Sequence, residues 1–594
     1  MVDQDSARSR RRLAVLKFDL GNAARQRTAA LVFLVVWCLI DLRWVWLYRR
    51  GNLLDIDEAG YLTLAVAAAR NHEYGLVFFT IYSPATPAAA ALIFSVFGPH
   101  LVLGFLVPII AAALTGYLTF SLGLTIGGPR LAWLALVLVS TTPVFVDYSR
   151  QFSFAMSCAL AVTAALYCLL RSEGLTSVRW TMWFGVCVGL MPLTRTMAIA
   201  YVPGVLLAAL ITSLGHPDSR QRLARLGRAT ILAALITAVW LVPNWKGVLG
   251  YLLSFGYGGH SGSAGRILLL EWESWLSTLQ YYIQDLQLIH STILFLGLAI
   301  TAVIALRTLR GLSGMHIVWR IAHSKLFGPA LLFAFGTVAL VSTSNHGTAF
   351  DLPLFPALTL VSGWGVTRAN RHVLRGTAAV TTLAALVAYV PLVDLHSRFA
   401  EPRALAIPGI GPAFITDGRA YLQRYEASGI PGPAGVTVGS LVSSKTEPID
   451  AATTREWQTV IGQTVDFIRR EIPSNRPVTF GFGHILYNLA TVQLVEFSRY
   501  DFPDGVPWGA GIDQASMNRS EDAYFQVLTT GGPKDSCLLF TSGGVVNEIP
   551  PIPNSEALAA AARRAGFVQA AQWKLPDGRD VLAWRRDSDS CRKM

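Results

Sequence analysis

Apolar runs long enough to cross a bilayer recur along the chain from Ala29 to about Leu392 and then stop. We read about eleven such windows, near 29 to 48, 100 to 126, 131 to 147, 151 to 170, 180 to 194, 198 to 214, 229 to 245, 286 to 306, 326 to 343, 352 to 366 and 376 to 393. The segment from Pro84 to Phe97 is equally apolar but too short to cross, which predicts a re-entrant or interfacial helix. Beyond Leu392 the pattern becomes that of a soluble domain. A helix is predicted over 464–472, a buried strand over 477–482, a helix over 486–497, a strand over 537–541 and a helix over 555–565. A hairpin follows, with arms 567–575 and 581–584 around Asp577-Gly578. The expected architecture is a polytopic α-helical membrane body over 29–394, preceded by a basic N-terminus over 1–28 and followed by a small α/β domain over 395–594.

Composition agrees with a membrane protein. The 594 residues are 53% hydrophobic and only 14% charged, too apolar for a soluble chain of this size. The formal charge of +12 is mostly a topology signal, because the basic residues fall in alternate loops. Arg8, Arg10, Arg11, Arg12, Lys17, Arg25 and Arg27 precede the first span, and Arg171 and Arg179, then Arg220 to Arg228, Arg307 to Lys325 and Arg368 to Arg375 follow in the same phase. These loops are therefore expected to be cytoplasmic, with the first loop (49–99), a later loop (245–285) and the C-terminal domain on the outer face. Nothing in this charge distribution points to nucleic acid. Ser9-Arg10-Arg11-Arg12 lacks a cleavage site behind it and reads as a cytoplasmic anchor flank. Cys38, Cys158, Cys168 and Cys187 lie within spans as small packing residues. Cys537 and Cys591 fall in the outer domain, where the compartment permits a disulfide, and the sequence leaves their pairing open.

Against this background the stretch Leu54-Asp55-Ile56-Asp57-Glu58-Ala59-Gly60-Tyr61-Leu62 stands out, with three carboxylates directly after the first span. As a weakly amphipathic interfacial helix it would carry Asp57 and Glu58 in its first turn, where the helix N-terminus favours anions, so simple capping is one reading. The other is chemical. Arg70, Asp147, Arg150, Arg195, Lys246, His260, Arg266, His346 and Asp351 also fall at outer ends of spans or in outer loops, and a base ringed by cations at a membrane surface suits an anionic lipid substrate. For each cation alone, interfacial snorkelling is the simpler account.

Asp57-Glu58-Ala59-Gly60-Tyr61 resembles the Asp-Glu-x-x-Tyr motif in the first outer loop of integral-membrane glycosyltransferases of the GT-C class, in the branch of the protein O-mannosyltransferases and the undecaprenyl-phosphate aminoarabinose transferase. The likeness continues in order through Ser83-Pro84-Ala85-Thr86-Pro87 to Phe97-Gly98, Tyr148-Ser149-Arg150, Leu193-Thr194-Arg195, Trp240 to Trp245 and Leu352-Pro353-Leu354-Phe355-Pro356. The branch often has a second acid shortly after the Ser-Arg pair; here Gln151 to Met156 holds no carboxylate, and Asp147 precedes it. An arginine often precedes the late proline element; here Ala349-Phe350-Asp351 stands there, with His346 or Lys246 as replacements.

The resemblance implies transfer of a sugar from a polyprenyl-phosphate donor to a hydroxyl of a glycan, lipid or protein acceptor in the cell envelope, with inversion. Asp57 would be the general base and Glu58 an orienting or binding group. Arg150, Arg195 and Lys246 would meet the leaving phosphate. Further substrate-binding candidates are Asp55, Tyr61, Asp147, His260, His346, Trp272 and Trp275. The glycine-rich stretch 256–265, followed by Trp272, Trp275, Tyr281 and Tyr282, reads either as a lid with an aromatic sugar-facing surface or as a connection entering an aromatic belt. The class contains members with and without a divalent metal, so that cofactor is left open; the residues show no ligand spacing such as His-x-x-x-His. Gly481-Phe482-Gly483-His484 lacks the full glycine fingerprint of a nucleotide site. Two competing classes remain: a transporter or flippase of lipid-linked sugars, which would favour midplane charges and internal repeats, and a membrane sensor with an outer ligand-binding domain.

Overall fold

The computed structural model describes residues 2–49, 54, 56–214, 217–256, 268–310, 316, 320–343, 349–368, 371–394, 403–408, 411–416, 451–473, 476–484, 487–499, 510–511, 520–542, 554–576, 578 and 580–591. The membrane body is helical: α1 (Val2–Tyr48), α2 (Ile56–Asn71), α3 (Ala85–Phe97), α4 (Leu106–Gly127), α5 (Pro129–Thr141), α6 (Pro143–Ser149), α7 (Ala155–Arg171), α8 (Val178–Thr194), α9 (Val202–Ser213), α10 (Ser219–Gly256), α11 (Trp272–Leu309), α12 (Phe327–Val341), α13 (Phe355–Arg368) and α14 (Arg371–Val393).

Among the described residues, five helical stretches are long and apolar enough to cross a membrane: Ala24–Leu47, Leu101–Gly127, Thr196–Ser213, Ser219–Leu253 and Trp272–Leu309. Helices α5 and α6, bent by 65° at the Thr142-Pro143 junction, make a sixth if counted as one broken span. The expected eleven windows therefore do not all become full-length spans. Ala155–Arg171, Phe327–Val341 and Ala379–Val393 are apolar but short. So is α3, the segment expected not to cross.

Within the loop expected over 245–285, α10 runs to Gly256 and α11 begins at Trp272. Helix α10 has 38 residues, about 57 Å of helix, and so projects well beyond a hydrocarbon core of about 30 Å, whereas α11 is two helical pieces joined at a kink at Gln287, φ 55° and ψ 172°. The glycine-rich part of that loop, with His260, lies outside the described residues.

Small residues set the helix spacing. A Cβ on Gly185 would meet the Ala229 carbonyl at 2.5 Å, and one on Gly189 would meet the Ala233 carbonyl at 2.7 Å. Helices α8 and α10 thus touch backbone to backbone, the small-xxx-small arrangement that works where lipid offers no hydrophobic drive. Thr237 Oγ1 donates to the Gly189 carbonyl at 2.9 Å across that seam.

The C-terminal part carries β1 (Arg403–Ile407) and β2 (Gly411–Thr416) as an antiparallel pair. A mixed five-stranded sheet follows, order β4-β3-β5-β7-β6, from β3 (Val478–Phe480), β4 (Ala510–Gly511), β5 (Leu538–Ser542), β6 (Phe567–Lys574) and β7 (Asp580–Arg586). Its helices are α15 (Ala451–Glu471), α16 (Leu489–Arg499), α17 (Glu521–Thr530) and α18 (Ser555–Arg564). Strand alternation divides its core: Leu538 and Phe540 pack with Trp457, Ile461 and Val465 of α15, and Leu539 packs with Tyr524 of α17 and Leu558 of α18. The predicted helices, strands and hairpin are all present here, with α15 starting earlier than expected. Cys537 and Cys591 form a disulfide, Cα atoms 5.3 Å apart.

This sheet region reaches the membrane body through α16. Leu494 and Phe497 join the apolar cluster of Leu62, Ala65, Val66 and Ala69 of α2, and Thr63 Oγ1 donates to the Ala490 carbonyl at 3.3 Å.

Candidate functional site

Helix periodicity assigns the two acids of α2 to different faces. Glu58 turns inward: it is 2% exposed, pairs with Arg49, and accepts the Phe152 backbone N–H at 2.9 Å. The Arg49 guanidinium lies 5.2 Å from the Phe105 ring centroid. Glu58 therefore ties the end of α1 and the 150–154 segment to α2. Asp57, one position earlier, is solvent-accessible, yet protein surrounds it closely enough that burial raises its carboxyl above the ordinary range. An accessible group so enclosed lines a recess. The Glu58 charge adds to the rise; Arg195 and a hydrogen bond from Tyr61 oppose it.

Tyr61 follows Asp57 by one turn and so shares its face. Its ring stands 5.3 Å from Tyr82 and 4.1 Å from Phe154. Tyr82 is held in place by neighbours that the sequence placed far away. Trp240 Nε1 of α10 donates to Thr80 O at 2.9 Å, Asn244 Nδ2 donates to Phe78 O at 2.7 Å, and Ser83 Oγ donates to Pro192 O at 3.1 Å. The Tyr82 phenol is pushed up to about 12, by burial first and then by the Asp57 charge; Tyr251 of α10 is a further neighbour whose charge adds to that rise. Tyr82 and Tyr251 were not among the sequence-derived site residues. Only contacts across long sequence separations bring them to Asp57.

Arg195 closes the other side. As the residue that ends α8 its backbone is extended, φ −159° and ψ 129°, and its Nη1 donates to the Ala349 carbonyl at 2.9 Å with the guanidinium 4.2 Å from the Phe350 ring centroid. The 349–351 segment is itself clamped. The Phe350 N–H donates to Tyr281 Oη at 2.9 Å, Tyr201 Oη donates to the Phe350 carbonyl, and Ala349 takes a left-handed φ of 55°. Asp351, next in line, is fully buried beside Asp285. Burial and the adjacent Asp285 push Asp351 well above the carboxylate range, against a lowering contribution from Arg195. Arg195 thus faces both the accessible Asp57 and this buried acid pair.

Several expected residues sit elsewhere. Arg150 is 3% exposed: Nε and Nη2 bond Asp41 Oδ1 at 3.0 and 2.7 Å, Nη1 donates to the Leu392 carbonyl at 2.6 Å, and the guanidinium lies over Trp44. Ser149 Oγ bonds the other Asp41 oxygen. Arg150 is a buried structural cation, and a leaving phosphate would have to break this pair to reach it. Lys246 lies exposed beside Trp245, its ammonium 5.8 Å from that ring centroid. It is two residues past Asn244, hence about 200° round the helix from the face that grips the 78–82 loop. Asp147 is 4% exposed and accepts from Gln151 Nε2 at 2.5 Å. Trp272 and Trp275 are exposed at the start of α11, and Trp275 Nε1 donates to the Leu269 carbonyl at 3.1 Å. Asp55, His260 and His346 lie outside the described residues. Among the described residues no group of three or more His, Cys, Asp or Glu side chains is placed to hold a metal ion.

Segments 57–61, 78–83, 193–195 and 349–351, with Trp240, Asn244 and Tyr251 of α10, therefore meet around Asp57 and Arg195, whereas Tyr148-Ser149-Arg150 is tied to Asp41 instead. A family model described as dolichyl-phosphate-mannose-protein mannosyltransferase matches residues 82–242. Among solved structures, ArnT from Cupriavidus metallidurans bound to undecaprenyl phosphate superposes with a TM-score of 0.54 at 13% identity, covering 96% of this chain and 100% of that one. Its apo state superposes with a TM-score of 0.50 at 12% identity, covering 94% and 98%. No individual curated protein sequence matches. Residues 82–242 are thus similar in sequence to the dolichyl-phosphate-mannose-protein mannosyltransferases, and nearly the whole chain is similar in fold to ArnT.

Proposed function

We propose that this protein transfers a sugar from a polyprenyl phosphate to a hydroxyl acceptor at the outer membrane face, with inversion and with Asp57 as general base. The observation that carries this reading is an accessible carboxylate, Asp57, enclosed by protein and within the influence of the Arg195 charge. The binding of undecaprenyl phosphate by ArnT, which shares the fold, supports the lipid class of the donor.

In the reaction the acceptor oxygen attacks the anomeric carbon as its proton passes to Asp57, and the bond from that carbon to the phosphate oxygen breaks with its electron pair. Arg195 stabilises the charge that develops on the phosphate. Tyr61 hydrogen-bonds the Asp57 carboxylate and holds its orientation. Glu58, locked to Arg49 and Phe152, fixes the helix turn that presents Asp57.

The test is incubation of purified protein with labelled polyprenyl-phosphate sugar, following released polyprenyl phosphate. Asp57→Asn should lower turnover by about a hundred- to ten-thousandfold while the protein remains folded. Transfer at the wild-type rate by Asp57→Asn would remove the assignment. Movement of intact lipid-linked sugar across vesicles without its cleavage would favour a carrier instead.

A further inference from the structure

A cavity of about 300 Å³ opens at the opposite end of the membrane body, lined by Leu122 of α4, Leu166 and Leu169 of α7, Arg222 of α10, and His323 and Lys325 just before α12. Its distance from the recess follows from α4. Val107 packs in the α2 cluster and Leu122 lines the cavity, and fifteen residues of helix separate them by about 22 Å. The cavity is therefore no part of the Asp57 site.

Its chemistry is two-sided. Leu122, Leu166, Leu169 and Leu170 form an apolar side, while Arg222, Lys325 and His323 line the polar side with Glu173, and Asp218 pairs with Arg222 from outside the lining. Lys325 is exposed and uses one ammonium donor, to the Thr125 carbonyl at 3.3 Å. Arg222 gives Nε to Asp218 Oδ1 and Nη1 to the Gly174 carbonyl, both at 2.9 Å, and its Nη2 makes no hydrogen bond among the described residues.

The wall is also pre-formed. Glu173, Gly174 and Leu175 all take left-handed φ values, 52°, 68° and 66°, a conformation unfavourable for two of the three. Arg222 holds the Gly174 carbonyl, and Arg225 holds those of Leu175 and Thr176 at 3.0 and 2.6 Å.

We propose that this cavity binds an anionic phospholipid from the leaflet opposite Asp57, its phosphate at Lys325 and Arg222 and an acyl chain along the leucines of α4 and α7. A free phosphate compound would gain nothing from that apolar wall, whereas an acyl chain is stabilised by each methylene it buries. Basic pockets between membrane helices suit anionic headgroups for this reason.

The test is native mass spectrometry of the full chain, titrated with dioleoylphosphatidylglycerol, dioleoylphosphatidylcholine or glycerol 3-phosphate. The phosphatidylglycerol adduct should be retained and the other two should bind at least about tenfold more weakly. Lys325→Glu should lower phosphatidylglycerol retention by about tenfold or more. Gly328→Leu should do so by filling the space: a Cβ there meets Leu166 and Leu169 at 3.7 and 3.9 Å, ordinary contact that the backbone tolerates. Size-exclusion profiles identify the folded variants to be compared. Asp57→Asn should retain the lipid fully, which separates this site from the proposed transferase reaction. Equal retention of phosphatidylcholine, equal binding of glycerol 3-phosphate, or unchanged retention by folded Lys325→Glu and Gly328→Leu would overturn the proposal.

Discussion

Asp57 experiences opposed influences, and each can be removed separately. Its carboxyl is raised by burial and by Glu58, and lowered by Arg195 and the Tyr61 hydrogen bond. A base must be ionised to act, so activity is lost as pH falls through the raised value, above the ordinary aspartate value of about 3.9. Removing a lowering influence raises that value further. Tyr61→Phe and Arg195→Gln are therefore both expected to move the acidic limb of kcat/KM to higher pH, and Arg195→Gln also to weaken donor binding. A limb that stays fixed in both variants would show that Asp57 is not the titrating base. The raised value has a second consequence at this scale. A carboxyl that is harder to ionise in the fold than in the unfolded chain opposes folding as pH rises toward and past its folded value. Asp57→Asn should then unfold at the same temperature as wild type or slightly above it at neutral pH, as measured by thermal denaturation. Arg150 gives the contrasting case. With side chains 4% and 0% exposed in the Arg150–Asp41 pair, Asp41→Ala strands a buried guanidinium and should cost about 3–5 kcal/mol of stability. A large loss of thermal stability in Asp41→Ala distinguishes this structural role from phosphate binding, which would leave stability untouched.

Among the elements, those with strong local signals were legible from the sequence. The strands 478–480 and 538–542, the hairpin arms and helices α15, α16 and α18 follow from periodicity and turn residues, because a half-buried surface element encodes its own period, whereas α17, β1, β2 and β4 were not among the predicted elements. Membrane segments encode only apolarity and length. Their ends are set by packing, which is why α10 and α11 run past their hydrophobic windows and why the bend at Thr142-Pro143 breaks a span into two helices. Asp57 was legible because it sits beside Tyr61 in one short motif. Tyr82, Tyr251 and Asp285 were not, since each reaches Asp57 or the 349–351 segment through contacts that no local pattern records. The Cys537–Cys591 bridge was open for the same reason: it joins residues 54 positions apart, and only the fold of β5 and the chain end after β7 brings them together. Cys591→Ser in the full chain should destabilise the C-terminal sheet region by about 2–5 kcal/mol, seen as faster amide exchange over β5 and β7 with no change in the membrane helices. Equal exchange in both proteins would mean that the hydrophobic clusters on the two sheet faces suffice without the bridge.

At the scale of the molecule, the helix that carries Asp57 is built from both parts of the chain. Its inner side packs on α3 and the start of α4, and Leu494 and Phe497 of α16 complete the same apolar cluster from more than 400 residues away. The α2 surface toward α16 is made of small residues, with Gly60 near Ala490 at 3.8 Å for an added Cβ, so a helix can lie directly upon it. Helix α2 has little amphipathic character of its own, and an isolated 16-residue helix is marginal in water. Tertiary contacts must therefore supply much of its order. Phe497 is 1% exposed, and Phe497→Ala removes a side chain whose deletion from a core typically costs about 3–5 kcal/mol. That loss should appear as local opening: amide exchange over residues 56–71 accelerates while exchange over 355–368, packed deep in the membrane body, is unchanged. Because Asp57 and Tyr61 ride on this helix, turnover should fall in the same variant. If Phe497→Ala left exchange over α2 at its wild-type rate, the docking of α16 would contribute nothing to its order, and the order of α2 would have to come from the membrane body alone.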